Sequence, residues 1–243
     1  MTTLMHGIDC SFDPLTEHEA RLLRLAGVEA FVQCLWTGSG KPPCARENLR
    51  AAADAGMAIA GYASLNGVAG GAWHVGEAIE NAGDLWDELH QVFVDVELPR
   101  IPNEHIRQAV DYAAAGGKPR AIYTSYSKWV ENQGNAQDFD DCLLWDAHWS
   151  GRSGIQPVDY GRWAGVVGTQ YTGGEQVHGQ LADRNVFVRE LFIQEDIMAD
   201  ARLLQRLVIA ELFAQLAAQA ARGEPATDTQ RAQLRYLAGP IDR

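Results

Sequence analysis

Residues 91–99 read Gln91-Val92-Phe93-Val94-Asp95-Val96-Glu97-Leu98-Pro99, an apolar run that ends in two carboxylates and a proline. A β-strand alternates its side chains with a period of two, so Asp95 and Glu97 are predicted to point to the same side. Pro99 is expected to end the strand because it has no backbone N–H to donate. In α/β barrels the carboxyl ends of the strands carry the chemistry, and a carboxylate pair there is the usual equipment for cleaving a glycosidic bond. The stretch therefore predicts a barrel strand that delivers a sugar-cleaving pair of acids.

Strand-like and helix-like segments alternate on both sides of this strand. Upstream, the pattern predicts strands at 7–10, 29–36 and 57–62, and helices at 16–26, 45–55 and 72–89. Downstream, it predicts a helix at 103–115 and strands at 120–124, 142–147, 166–171 and 186–188. This alternation is typical of a parallel sheet, and the 243 residues are enough for one α/β barrel.

The sequence changes character after Phe187. Residues 188–222 are rich in alanine and leucine and carry an apolar stripe at helical spacing, which predicts one long helix. Gly223-Glu224-Pro225 interrupts this helix, and a short helix is predicted at 227–238. We therefore expect a barrel domain over residues 1–188 and a helical extension over 189–243. The stripe must be covered, either by the barrel or by a second copy of the chain in a homo-oligomer.

Charge and composition argue against several partners. The net charge of -12 opposes the binding of nucleic acid phosphates or an anionic membrane surface. No run of roughly 18 apolar residues is present to span a membrane. Residues 1–6 are too short for a signal peptide before the first predicted strand, so synthesis in the cytoplasm without a signal peptide is expected.

The cysteines and histidines show no spacing typical of a metal site. Cys10, Cys34, Cys44 and Cys142 form no C-x-x-C pair, and we expect them to be reduced and structural. Cys34 and Cys44 flank a Gly/Pro-rich loop and would be able to pair only in an exported protein. No metal and no cofactor are therefore expected.

Five separated pieces of the chain share one known pattern. In order they are Gly7–Ser11, Asp95–Glu97, Ile122–Ser125, Leu144–Ala147 with Gly168–Tyr171, and Asp183–Phe187. Together they resemble the family 25 glycoside hydrolases, the lysozymes (N-acetylmuramidases) common among phage endolysins and bacterial autolysins. The resemblance covers roughly residues 5–188. It implies an irregular (β/α) TIM-like barrel, of the α/β class, with an acidic groove at the carboxyl ends of its strands.

The same resemblance implies roles for four carboxylates. Glu97 would be the general acid, and Asp95 the second catalytic carboxylate, which stabilises an oxazolinium or oxocarbenium species. Asp9, ending the first strand, and Asp183, starting the last, would orient these groups. Crowded carboxylates do not all ionise, so Glu97 is expected to keep a proton near neutral pH. There are plainer alternatives. Asp95 and Glu97 could be solvated acids at the end of a strand, Asp9 a turn or cap residue, and Asp183 a turn residue.

The substrate implied is the β-1,4 bond between N-acetylmuramic acid and N-acetylglucosamine in peptidoglycan glycan strands. The protein would act on the cell wall after release, in the manner of a phage or prophage enzyme. Aromatic residues near strand ends would stack on sugar rings, and Gln170 would bond an acetamido group. Core packing explains any one of these aromatics equally well, but four at the same end of the barrel favour sugar contact. The aromatic residues are Tyr62, Tyr123, Trp145 and Tyr171.

Two segments depart from the family pattern. Leu35–Gly40 contains no acid where family members usually have one, and Tyr62-Ala63-Ser64 replaces a Tyr-His-Phe-like stretch. Residues 41–49 are also similar to a related glycoside-hydrolase-like family of unassigned function. The second hypothesis is therefore a catalytically degenerate barrel that binds cell-wall glycan or serves a structural role.

Overall fold

The computed structural model describes residues 3–192 of the chain. In this range eight strands close into a barrel, and helices cover its outer face. The strands are β1 Leu4–Cys10, β2 Ala30–Trp36, β3 Ala58–Ser64, β4 Gln91–Asp95, β5 Ala121–Thr124, β6 Leu143–Ala147, β7 Gly165–Val177 and β8 Gln180–Val188. The helices are α1 Glu17–Leu25, α2 Ala45–Asp54, α3 Gly71–Ala82, α4 Asn103–Ala115 and α5 Tyr126–Gln133.

Strands β1 to β7 pair in chain order as parallel neighbours, whereas β8 runs antiparallel to both β7 and β1. The expected parallel sheet is therefore wrong for the last strand. Parallel neighbours need a long crossover, but β7 and β8 are joined directly through His178 and Gly179. Both residues have positive φ, 49° and 96°, as in the tight turns that join antiparallel strands. The strands predicted at 166–171 and 186–188 are parts of this longer hairpin.

Two apolar clusters hold the barrel together. Inside it, Phe93, Trp145 and Phe187 pack in contact, with ring centroids 5.0 to 6.3 Å apart. Gly168 makes room for them, since a Cβ there would lie 2.6 Å from a Phe187 ring carbon. The larger cluster lies between the strands and the helices; α1, for example, buries Ala20 and Leu23.

The helix boundaries follow local signals. Thr16 caps α1 in a capping box with Glu19, which places the start of the helix where it is predicted. The helix predicted at 72–89 is too long, because Gly83, at φ 59°, ends α3 and a 3-10 turn follows. Helix α5 was not predicted; Ser125 caps its first turn, and Gly134 ends it in the left-handed conformation.

The helical extension lies largely outside the described residues. Within them, Val188 is the last residue of β8 and Arg189–Leu191 form a 3-10 turn, so the long helix does not begin at Val188. The remainder of that prediction, the short helix at 227–238 and the homo-oligomer lie beyond residue 192 and stay predictions. So does the domain boundary at 188/189.

The described residues settle two further points about the chain. No helix among them has both the length and the apolar character required to cross a membrane. Cys10, Cys34, Cys44 and Cys142 are all free thiols, and Cys44 lies against the backbone carbonyl of Phe12.

Candidate active site

A cavity of about 160 Å³ opens at the carboxyl ends of the parallel strands. We call it the acid pocket. It is lined by Asp9, Ser11, Tyr62, Asp95, Glu97, Tyr123, Trp145, Gln170 and Asp183. Eight of the nine predicted site residues thus meet in one place. The exception is Tyr171, which follows Gln170 on β7; neighbouring strand residues point to opposite faces.

The four carboxylates come from three strands. Asp9 is near the end of β1 and lies directly opposite Asp183 of β8 in the antiparallel register. Asp183 is therefore in the middle of its strand rather than at its start. Asp95 is the last residue of β4, and Glu97 lies two residues beyond it, so the strand ends earlier than predicted.

Asp9 is buried and receives two amide donors. Its Oδ2 accepts a hydrogen bond from Asn185 Nδ2 at 2.6 Å and another from Gln170 Nε2 at 2.9 Å. Burial raises the pKa of Asp9 to about 7 and the charge of Asp183 adds to the rise, while the two amides oppose it. Asp9 therefore titrates near neutral pH, with donors arranged to favour its anion.

Indole groups fix the orientation of both amides. Trp145 Nε1 donates to Asn185 Oδ1 at 2.9 Å, and Trp149 Nε1 donates to Gln170 Oε1 at 2.8 Å. An indole N–H is only a donor, so each amide must turn its oxygen to the indole and its NH₂ to Asp9. The two tryptophans thereby position the groups that hold Asp9.

Asp95 is held at one oxygen and left open at the other. Ser64 Oγ donates to Asp95 Oδ2 at 2.5 Å, and Asp95 Oδ1 is buried without a hydrogen-bond partner among the described residues. Burial raises the pKa of Asp95 to about 7, with a further contribution from the charge of Glu97. A buried acceptor that faces a pocket and lacks a partner is suited to an N–H or a cation of a substrate.

Glu97 is half-buried, and its pKa is also raised. Burial is the largest cause, Asp183 adds to the rise, and Lys128 of α5 opposes it. The expectation that crowding by neighbouring acids would be the main cause is therefore incomplete, because loss of solvation acts more strongly on this group. Proton retention by the Asp95–Glu97 pair follows from both effects.

The aromatic residues divide into a floor and a rim. Tyr123 and Trp145 pack together with centroids 4.4 Å apart, and Trp145 is only 1 % exposed, so both form the floor. The Tyr62 hydroxyl shares a hydrogen bond of 2.7 Å with Ser11 Oγ. Trp149, by contrast, is 70 % exposed although its indole N–H is fixed on Gln170. The floor position fits the core-packing explanation of these aromatics better than an open stacking face.

Sequence reasoning missed several residues that contact the predicted ones. Two had a usable signal, since Asn185 and Trp149 continue the period of two from Asp183 and from Trp145. The others had no such signal: Ser11 follows β1, Ser64 is the last residue of β3, and Lys128 lies in α5. Among residues 3–192, no group of three or more His, Cys, Asp or Glu side chains is arranged to hold a metal ion.

No known family pattern and no curated protein matches this sequence. Solved structures do match its fold. A family GH25 lysozyme from Aspergillus fumigatus aligns with a TM-score of 0.64 at 20 % identity, over 78 % of this chain and 99 % of its own. The lysozyme from Streptomyces coelicolor aligns with a TM-score of 0.63 at 19 % identity, over 77 % and 93 %.

A third match is the modular autolysin LytC from Streptococcus pneumoniae, solved in complex with a synthetic peptidoglycan ligand. It aligns with a TM-score of 0.53 at 14 % identity, over 76 % of this chain and 46 % of its own. Identities this low establish the fold alone. The predicted irregular TIM-like barrel is confirmed, and the resemblance to the family 25 glycoside hydrolases holds at the level of the fold.

Proposed function

We propose that this chain is a family 25 glycoside hydrolase, a lysozyme that cleaves the β-1,4 bond between N-acetylmuramic acid and N-acetylglucosamine in peptidoglycan. The observation that carries the proposal is the acid pocket, in which the four carboxylates predicted from three separated motifs line one cavity. Glycosidic bond cleavage requires one carboxyl group that keeps its proton, which the raised pKa of Glu97 favours, and a second carboxylate that is ionised. The autolysin with the same fold that binds a peptidoglycan ligand supports the substrate class.

In this proposal Glu97 donates its proton to the leaving glycosidic oxygen. It is half-buried and has a raised pKa, so it keeps a proton at a pH where an exposed glutamate has lost it. Asp95 receives the acetamido N–H of the substrate on its unpartnered Oδ1 and stabilises the positive charge as the oxazolinium or oxocarbenium species forms. Glu97, now ionised, accepts the proton of the water that completes hydrolysis.

Asp9 and Asp183 act by position and charge. Asp9 is fixed by two amides, and Asp183 Oδ1 accepts the backbone N–H of Gly174 at 2.6 Å. Asp183 also contributes to the raised pKa values of Asp9 and Glu97. The proposed site of action is the cell wall, after release of the protein in phage or prophage manner.

The second candidate is a barrel that binds wall glycan without turnover. It is favoured by the loop after β2, in which no acid is present and the Thr37 side chain bonds to Ser39 and Gly40 of the same loop. The Gly38 backbone oxygen of this loop accepts the Asn66 amide at 2.6 Å, and the loop supplies no acidic side chain. The complete carboxylate set of the acid pocket argues for the hydrolase.

The test is digestion of purified bacterial walls followed by borohydride reduction and mass spectrometry. A muramidase produces reduced muramic acid ends, whereas cleavage of the other glycan bond produces reduced glucosamine ends. Glu97→Gln should lower the rate by about 10² to 10⁴-fold, on the order of 3 to 5 kcal/mol of barrier, because it keeps the shape but removes the proton donor. Glu104→Gln, an exposed change on α4, is the matched control.

Each outcome selects one of the candidates. Glycan that stays intact but bound to the protein selects the non-catalytic barrel. A Glu97→Gln variant that keeps more than about a tenth of the rate contradicts the acid assignment, because that loss is smaller than a general acid supplies.

A further inference from the structure

Lys128 lies on the face of α5 that packs against Glu97. Asn132, one helical turn further along, donates its Nδ2–H to the backbone oxygen of Glu97 at 2.9 Å. Residues four apart share a helix face, so Lys128 is on the same side. Helix α5 begins directly after β5, at the carboxyl end of the barrel. Lys128 is therefore an exposed cation at the mouth of the acid pocket.

In the free protein the surroundings of Lys128 disfavour its positive charge. Lys128 is in the first turn of α5, where the Ser125 side chain accepts its backbone N–H, and the positive end of a helix disfavours a cation. Among residues 3–192, no carboxylate lies within 4.0 Å of its Nζ, in contrast to Lys41, which contacts Glu77 and Glu80. Its charge also lowers the pKa of Glu97 and so opposes proton retention by the proposed acid. A residue that breaks local rules next to a site is expected to act on a ligand.

The group that binds Lys128 must be an anion, and the other charged side chains at the acid pocket are carboxylates, which repel it. The acid pocket contains four carboxylates, and the chain has a net charge of -12, so the field at the pocket repels a negatively charged glycan. Muramic acid, unlike N-acetylglucosamine, bears a lactyl group whose carboxyl is free or is linked to a peptide that itself carries carboxylates. A carboxylate beside the scissile bond needs one nearby cation, and Lys128 supplies it.

We propose that Lys128 binds a carboxylate carried by the muramic acid residue of the substrate, and thereby selects anionic peptidoglycan over neutral amino-sugar polymers. The proposal rests on the proposed function and deepens it.

Binding of a substrate carboxylate to Lys128 changes the pKa of Glu97. Glu97 faces Asp95 from β4, Asp183 from β8, Tyr123 from β5 and Lys128 from α5. Once a substrate carboxylate pairs with Lys128, the cation that lowers the pKa of Glu97 is neutralised. Glu97 then keeps its proton to a higher pH in the complex than in the free protein.

The experiment measures binding in a Glu97→Gln background, so that turnover does not interfere. The probes are soluble glycan with stem peptides, the same glycan after removal of the peptides, and a neutral N-acetylglucosamine tetramer. Lys128→Met should weaken binding of an anionic probe about two- to fivefold, leave the neutral tetramer unchanged, and lose its effect at about 0.5 M salt. Arg21→Met, which removes another exposed cation, paired with Glu17 on α1, should change nothing.

The two anionic probes distinguish the source of the carboxylate. An effect confined to the stem-peptide probe assigns the peptide, and one confined to the stripped glycan assigns the lactyl group. Either result supports the proposal, whereas a Lys128→Met variant that binds all three probes as tightly as its parent overturns it.

A second readout uses the active protein. Removal of Lys128 should move the alkaline limb of the kcat/KM profile to higher pH, which a purely structural lysine would not do. If walls are cleaved but Lys128→Met changes neither affinity nor the pH profile, the proposed role of Lys128 is wrong and the hydrolase proposal stands. If walls stay intact while Lys128→Met weakens anionic binding, the hydrolase proposal fails and the carboxylate site stands.

Discussion

Asp95→Asn should make the protein more stable above neutral pH while it removes activity. Asp95 is buried at the end of β4, and its pKa is about 7 against an ordinary 3.8. Ionising it in the folded state therefore costs free energy that ionisation in the unfolded chain does not. At 1.36 kcal/mol per pKa unit, the cost above pH 7 is at most roughly 4 kcal/mol. An amide at position 95 carries no such cost, and its oxygen still accepts the Ser64 hydroxyl.

The pH dependence has a definite sign. Because the pKa of Asp95 is higher in the folded state, the folded chain binds more protons than the unfolded chain between about pH 4 and 7. The free energy of unfolding of the wild type therefore falls as the pH rises through this window. The advantage of Asp95→Asn should be largest at about pH 8, less than half as large at about pH 5, and absent near pH 4.

Urea unfolding at these pH values measures the difference directly. Asp159→Asn, which changes an exposed carboxylate, is the control and should shift the free energy of unfolding by less than about 0.5 kcal/mol. An Asp95→Asn variant that is less stable than the wild type at pH 8, or whose advantage does not shrink at pH 5, would refute the reasoning. Either result would mean that the carboxylate is not held at a cost in the folded state.

Three further predictions concern groups around the acid pocket and one buried histidine. Asp183→Asn should lower the hydrolysis rate by about tenfold, less than Glu97→Gln, because an orienting residue acts by position; wall digestion checks this. Asn185→Leu leaves Asp9 with a single amide donor, so the pKa of Asp9 should rise and the acidic limb of the kcat/KM profile should move to higher pH. His74 accepts the Trp36 indole N–H on Nδ1 at 2.7 Å, and burial lowers its pKa. Its stabilising effect is complete above about pH 6.5 and is lost as the pH falls, so between pH 7 and 5 the wild type should lose more stability than His74→Gln.

The parallel part of the barrel was predictable because its signals are local. Alternating apolar runs and amphipathic helices appear in the order β1 to β6, and caps such as Thr16 mark their starts. The antiparallel closure was missed because the middle of the β7–β8 hairpin is rich in Gly and Gln and has no apolar run between Val167 and Val186. Its turn, His178-Gly179, is not the Asn-Gly or Asp-Gly pair that usually announces a two-residue turn.

The acidic residues of the site were predictable, but their surroundings were not. Asp95 and Glu97 are separated by one residue, and both line the acid pocket although β4 ends at Asp95. The Ser64 hydroxyl on Asp95 and the Lys128 charge near Glu97 arise from other strands and helices, at positions that only the closed barrel defines. Tyr171 is the one predicted site residue that does not line the acid pocket, because lying near a strand end says nothing about which face a residue takes.

The antiparallel direction of β8 explains how Asp9 is controlled. A parallel last strand would bring its carboxyl end, near Val188, to the pocket. Because β8 runs the other way, Asp183 lies opposite Asp9 at the pocket end of β1. Asn185, two residues further along β8, donates to Asp9 Oδ2. Asp183 raises the pKa of Asp9 and Asn185 lowers it, so one strand supplies two opposing influences on one carboxylate. Burial is the largest cause of the raised pKa of Asp9, and the hairpin that sequence patterns do not announce supplies the side chains that adjust it further.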